Sequence, residues 1–353
     1  RHDQADLFSS GMLATVEGGH GTQFGVPVET LSTPDEAPAW VAARKAEGSD
    51  YIKLVYIPAA RTIPSLDLAT AAAVIDAAHA EGLMAVAHIA SLEGAKAMVE
   101  AGIDGLVHIF ADAPADEAFI SAARENNVFV VPTLAVIAQV AATGASAELA
   151  DDPRVSARLS SGALRGLEGG FGMPQSRMFQ YPLAEANVRA LHEGGVAILA
   201  GSDAPNPGTA FGASLHHELQ LLVRAGMRPD AALRAATSAP ADSFGLEDRG
   251  RIAPGARADL VLVEGDPRAA IDATLSIAHI IRNGVRVAGG EAAQASGRAP
   301  DAADIGVFEA ATNGFNWVDT TDAMAGGNSE ATSSVQDGVL RTEFAVRAGF
   351  FVP

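Results

Sequence analysis

Lys53, His88, His108 and Asp203 are the residues of this 353-residue chain whose types and setting point to chemistry. Each closes a short apolar run that reads as a buried parallel strand: Tyr51-Ile52-Lys53, Met84-Ala85-Val86-Ala87-His88, Leu106-Val107-His108 and Ala197-Ile198-Leu199-Ala200-Gly201-Ser202-Asp203. In a barrel of alternating strands and helices, the C-terminal strand ends converge on one mouth, where active sites are built. Two imidazoles, a carboxylate and a lysine at four such ends predict a metal centre that activates water.

Each residue also has an ordinary reading. Most lysines are solvated, but Lys53 is flanked by Tyr51-Ile52 and Leu54-Val55-Tyr56, so its surroundings are apolar. One histidine on an apolar strand is more often a satisfied core residue; two at equivalent ends of adjacent strands favour ligands. Asp203 would serve as a helix cap, yet Gly201-Ser202 before it and Pro205 after it call for a tight turn that a cap does not need. His20, in Glu17-Gly-Gly-His-Gly21, sits among glycines that suit either close approach to a ligand or a flexible loop. His216 and His217 read as surface or packing residues, and His79, His192 and His279 as structural ones.

The elements that would position these residues alternate from about residue 34 to 247. Helices are expected over 34–47, 66–81, 91–101, 114–126, 183–194, 213–225 and 229–238, with Thr33 as an N-cap and Gly48, Gly82 and Gly102 past helix ends. Between them lie the four runs above and a β-branched strand at 128–134. Residues 141–182 read as an irregular excursion over the mouth. Strand–helix repeats with short turns predict a parallel α/β architecture. After residue 247 the pattern changes. Ala278-His279-Ile280-Ile281-Arg282 turns through Asn283-Gly284 into Val285-Arg286-Val287, a hairpin signal. Residues 291–306 form an Ala/Gly/Pro linker, and 307–353 read as the opening strands of another β module.

Composition narrows the function classes. Hydrophobic residues make up 48% and charged residues 19%, a globular balance. A net charge of -19 argues against nucleic acid and against anionic membrane as partners. With no cysteine, disulfides, thiolate catalysis and cysteine-based zinc sites are excluded. No apolar run approaches the roughly 20 residues that span a bilayer. The first residues, RHDQADLFSS, show no basic stretch followed by an apolar one and read as mid-fold. No Gly-rich phosphate loop leads into a helix, which disfavours a metal-free phosphate-binding barrel. Compartment, and any assembly into a homo-oligomer, stay open.

Taken in order, several stretches resemble the amidohydrolase superfamily, in its imidazolonepropionase- and prolidase-like branch. They are Asp50-Tyr-Ile-Lys53, Ala85-Val-Ala-His88, Gly105-Leu-Val-His108, Val131-Pro-Thr-Leu134, Ala200-Gly-Ser-Asp203, the stretch from Glu218 to Met227, and Gly250-Arg-Ile-Ala-Pro-Gly255 running on to Val261. The resemblance covers roughly residues 15–290. It implies a TIM-type (β/α)8 barrel over 1–247 and the strands of a composite β-sandwich over 248–290. It further implies that Lys53 is carbamylated and bridges two divalent metals, that His88 and His108 bind the second of them, and that Asp203 binds the first and shuttles the proton. Two zinc ions would then share a hydroxide that attacks the C–N carbonyl of a dipeptide, an N-acyl amino acid or a cyclic amide. The resemblance also puts His20 near the substrate. The family's strand-1 His-x-His has no counterpart here, since His2 stands alone; the barrel is therefore expected to be N-terminally incomplete, as in a fragment. The alternative is a non-catalytic binding or scaffold protein with a degenerate metal site. The tail from Asn316-Trp317 to Ser329 faintly resembles the start of the β-sandwich module of complex I intermediate-associated proteins.

Overall fold

Alternation along the first strands decides which side chains face which layer. The computed structural model describes residues 6–24, 27–58, 63–141, 143, 145–171, 180–287, 330–336 and 339–345. Strands β1 (Ile52–Val55), β2 (Ala85–His88), β3 (Gly105–Val107), β4 (Phe129–Val131) and β5 (Ala197–Ile198) form one parallel sheet in chain order. Ala14 adds a parallel bridge beside Leu54, its amide donating to the Lys53 carbonyl at 2.8 Å.

Side chains on a strand alternate between faces. Ile52, Leu54, Ala85, Ala87, Leu106 and Val130 belong to the main core, under the helices. The opposite face carries Val86, Phe129 and Leu199, with Tyr51, Met84, Val107, Val131 and Phe244 packed on them. Lys53 pairs with Val86, and Val55 with His88. Lys53 and His88 therefore belong to this inner face, two positions apart along the strands. Burying each large aliphatic or aromatic side chain contributes about 1.5–3 kcal/mol, so the period-2 pattern holds the register and with it the placement of Lys53.

The helices are α1 (Ala37–Glu47), α2 (Leu68–Ala80), α3 (Leu92–Glu100), α4 (Glu117–Glu125), α5 (Leu134–Val140), α6 (Ala145–Asp151), α7 (Pro153–Ser156), α8 (Ser161–Glu168), α9 (Tyr181–Glu193), α10 (Ala213–Arg224), α11 (Pro229–Ala235) and α12 (Ser238–Ser243). Side-chain caps start several of them: Asp67 accepts from the Thr70 amide, Ser91 from Gly94 and Asp116 from Phe119. Gly48 ends α1 in the left-handed conformation, φ 92°.

Three details differ from the sequence reading. Lys53 is the second residue of β1 and does not end it. The strand expected at 128–134 stops at Val131, because Thr133 turns left-handed and Leu134 already opens α5. The excursion at 141–182 contains α6, α7 and α8; Asp152 and Ser160 cap the last two, and Leu149, Val155 and Leu167 form a small core with Ala210 and Leu275.

Past the barrel helices, β6 (Leu260–Val263), β7 (Ile277–Arg282) and β8 (Val285–Arg286) make an antiparallel sheet. The expected hairpin is present: Arg282 pairs with Val285 across Asn283-Gly284, both at positive φ. The chain divides into two compact units, Arg1–His20 with Thr30–Gln294 and Gly21–Glu29 with Ala295–Pro353. In the second, β9 (Glu330–Gln336) and β10 (Val339–Ala345) pair antiparallel. The linker at 291–306 and the tail up to Ser329 lie outside the described residues.

Candidate metal centre

His88, His108, Asp203 and His20 come from the C-terminal ends of the strands or the loops above them, and Lys53 lies within β1. His88 is the last residue of β2, His108 follows β3 directly, and Asp203 follows β5 after a short turn. The His88 and His108 rings meet edge to face, with centroids 4.5 Å apart. His20, from the glycine-flanked loop, also packs on His88, with ring centroids 4.6 Å apart. Three imidazoles thus cluster, with His88 in contact with both others.

Burial and a nearby cation keep these rings neutral. Desolvation lowers His108 to about 3, helped by the charge of Lys53 and by His20. Desolvation, together with His108, His20 and Lys53, holds His88 well below the usual histidine range. His20 is lowered by desolvation and then by Lys53. Neutral imidazole is the form that binds a metal. Asp203 is raised by desolvation, against the pull of Lys53. Lys53 therefore acts electrostatically on every member of the group.

The backbone is unusual at three of these positions. His108 (φ 72°), Thr133 (φ 52°) and Asp203 (φ 54°) are all left-handed without being glycine. Such conformations cost on the order of 1–3 kcal/mol each and cluster at functional sites. Asp203 does not cap a helix, since the next one starts at Ala213 with Gly212 before it. Its turn is held by Asn206, whose Nδ2 donates to both the Asp203 carbonyl and Oδ2 at 2.8 Å.

Sequence reasoning gave no role to three residues that shape the site. Asn206 orients Asp203. Thr133 Oγ1 lies 2.7 Å from His108 Nδ1 in a buried hydrogen bond. Glu218, fully buried, accepts from the amides of Leu134 and Ala135 at 3.0 and 2.7 Å. Thr133 and Glu218 lie in stretches that carried the family resemblance, but residue type alone does not reveal which partner a side chain will find. His217 is buried, as packing predicted, and His216 is partly so. His79 bonds Asp104 at 2.9 Å, where the chain enters β3 at the N-terminal end of the strands.

The chemistry of the donor set fits a divalent cation on His88 and His108. Both rings are neutral, adjacent and largely shielded from water, with the Nδ1 of His108 already engaged. Lys53 shares their face of the sheet. Among the described residues, no three His, Asp or Glu side chains close into a metal-holding group.

Comparison with known proteins agrees with this architecture. The amidohydrolase family model matches residues 37–287, and the chain belongs to that family. A curated imidazolonepropionase from Streptomyces griseus subsp. griseus is 42% identical over 79 residues, which is 22% of this chain and 20% of that protein. An adenine deaminase from Methylobacterium nodulans is 52% identical over 50 residues, 14% of this chain and 9% of the other. The matched stretches thus span a fifth or less of these curated relatives. Among solved structures, a Xaa-Pro dipeptidase with methionine bound in its active site superposes with a TM-score of 0.60 at 23% identity, covering 79% of this chain and 67% of the other. This likeness shows the fold, a TIM-type barrel of the amidohydrolase kind.

Proposed function

We propose that this chain is a metal-dependent amidohydrolase that cleaves an amide-type C–N bond. A dipeptide, an N-acyl amino acid and a cyclic amide are the candidate substrates. The observation that carries the proposal is the neutral His88–His108 pair on the inner face of the sheet, with Lys53 on that face and Asp203 beside the same mouth. The solved dipeptidase and prolidase structures that share the fold support a peptide-like substrate.

His88, His108 and a carbamylated Lys53 would hold zinc, and His20 would contact the substrate. A bound divalent ion supplies Lewis acidity to a carbonyl and a lower pKa for water. The protein's own part is proton handling and shielding. The Asp203 carboxyl, raised by burial, is poised to take a proton from the attacking water and pass it to the leaving nitrogen. Asn206 binds Oδ2 and so leaves Oδ1 for that transfer.

Two measurements test this. Elemental analysis of protein produced with zinc and bicarbonate should find at least one zinc per chain, lost in the His88→Ala and Lys53→Met variants. Hydrolysis of a dipeptide and N-acyl amino acid panel should fall by on the order of a hundredfold or more in Asp203→Asn, with the fold kept. No zinc in a folded protein, or no hydrolysis by the parent, would favour the non-catalytic binding alternative; near-parental activity in Asp203→Asn would remove Asp203 from the proton-transfer role.

A further inference from the structure

Thr133 occupies the position directly before helix α5, where a threonine ordinarily caps its own helix by accepting from the backbone two or three residues on. It does not do so. Its backbone is left-handed, and its side chain makes no capping bond. The hydroxyl turns instead to the Nδ1 of His108, at 2.7 Å, where Thr133 is 2% exposed. The capping duty is taken over from another helix. Glu218 of α10 reaches across with both carboxylate oxygens and accepts from the amides of Leu134 and Ala135, the first two residues of α5. It is fully buried, and among the described residues no cation pairs with it. A buried carboxyl is costly, so its place here calls for a structural return. That return is the freed threonine.

We infer that Glu218 and Thr133 form a positioning relay that fixes His108 in one tautomer, with Nδ1–H donating to Thr133 Oγ1 and the Nε2 lone pair directed to a cation. A hydrogen bond at one ring nitrogen sets which nitrogen is left to bind metal and holds the ring's orientation. Neither Thr133 nor Glu218 touches the cation; both act through His108. The inference rests on the metal-centre reading proposed above, but its first test does not need a metal.

The experiment uses the full chain, 15N-labelled at histidine and stripped of metal. Long-range proton–nitrogen spectra report the tautomer of each ring, and the His108→Gln variant assigns the signal. The parent should show His108 as the Nδ1–H form. Thr133→Val keeps the β-branched shape, and with it the backbone preference, but cannot accept the bond. It should lose the fixed tautomer and weaken zinc binding, measured by competition with a chromophoric chelator, by roughly 10–100-fold. Thr133→Ser should restore both. Glu218→Gln should shift the tautomer in the same direction, since one of the two amides loses its acceptor. A merely structural role would change melting temperature and leave tautomer and zinc affinity alone. An Nε2–H form in the parent overturns the relay, and this result stands even if a variant fails to fold. Parental tautomer and affinity in a folded Thr133→Val also overturn it. A parent with the Nδ1–H form that takes up no zinc overturns the metal-centre reading and the cation half of the relay together.

Discussion

Three non-glycine residues in left-handed backbone, all at one mouth, locate the chemistry more sharply than their residue types do. Asp203 shows how such a conformation is held. Asn206 bonds both its carbonyl and its carboxylate, and Thr209 Oγ1 in turn donates to the Asn206 carbonyl at 2.7 Å. Replacing Asn206 by alanine removes both bonds and frees the Asp203 carboxylate to rotate. Small misplacements of a reacting group are expensive in rate. The expected result is a loss of kcat on the order of tenfold with KM nearly unchanged, because Asn206 itself meets no substrate. A KM rise at constant kcat would instead make Asn206 a substrate contact.

Strand packing supports the site from beneath. Phe129 of β4 lies over Gly105 of β3, where an added Cβ would come within 2.2 Å of its ring. Phe244 packs on Phe129 and Tyr51, with centroids 5.6 and 5.7 Å away. Gly105→Ala should therefore cost about 1–3 kcal/mol through overpacking. Adding Phe129→Leu should recover part of that loss, since contacting residues do not behave additively. Thermal unfolding of the two single variants and the double variant measures this, and strictly additive losses would refute the contact. Much at this scale was legible in the sequence. Apolar runs and closing glycines such as Gly48 mark local minima that tertiary structure confirms. His88 was legible because strand alternation places it on the inner face, whereas His108 lies past the end of β3 and owes its place to a left-handed turn. The turn at Thr133 was not, because its left-handed backbone is stabilised from Glu218, 85 positions away along the chain. The short helices α6 to α8 were hidden for a related reason. Their small apolar faces find partners such as Ala210 and Leu275, and no single segment shows a strong period.

Buried titratable groups set how the stability of the whole metal-free molecule depends on pH. His20, His88, His108, His216 and His217 are all lowered on folding, chiefly by desolvation, with His108 at about 3 and His217 at about 4. The unfolded chain, with histidines near 6.5, therefore binds more protons below that pH, so stability falls as the solution is acidified from about 6.5. Glu218 works in the opposite direction. Desolvation raises it from 4.5 to about 8 in the fold, although the two backbone bonds pull it down. Between these values the folded state holds the extra proton, so its contribution is complete below about 4.5 and is lost as pH climbs through about 8. A net charge of -19 adds repulsion on the alkaline side. Five histidines outweigh the two raised carboxyls, Glu218 and Asp203, at acid pH, and Glu218, raised to about 8, shapes the limb above 6.5. Melting temperature against pH should accordingly peak between about 6 and 7 in chelator-treated protein. In Glu218→Gln the decline from pH 6.5 to 8 should flatten, while the acid limb stays steep. An alkaline limb unchanged in that variant would mean that Glu218 is ionised throughout this range in the fold, and that the two amides of α5 outweigh its burial.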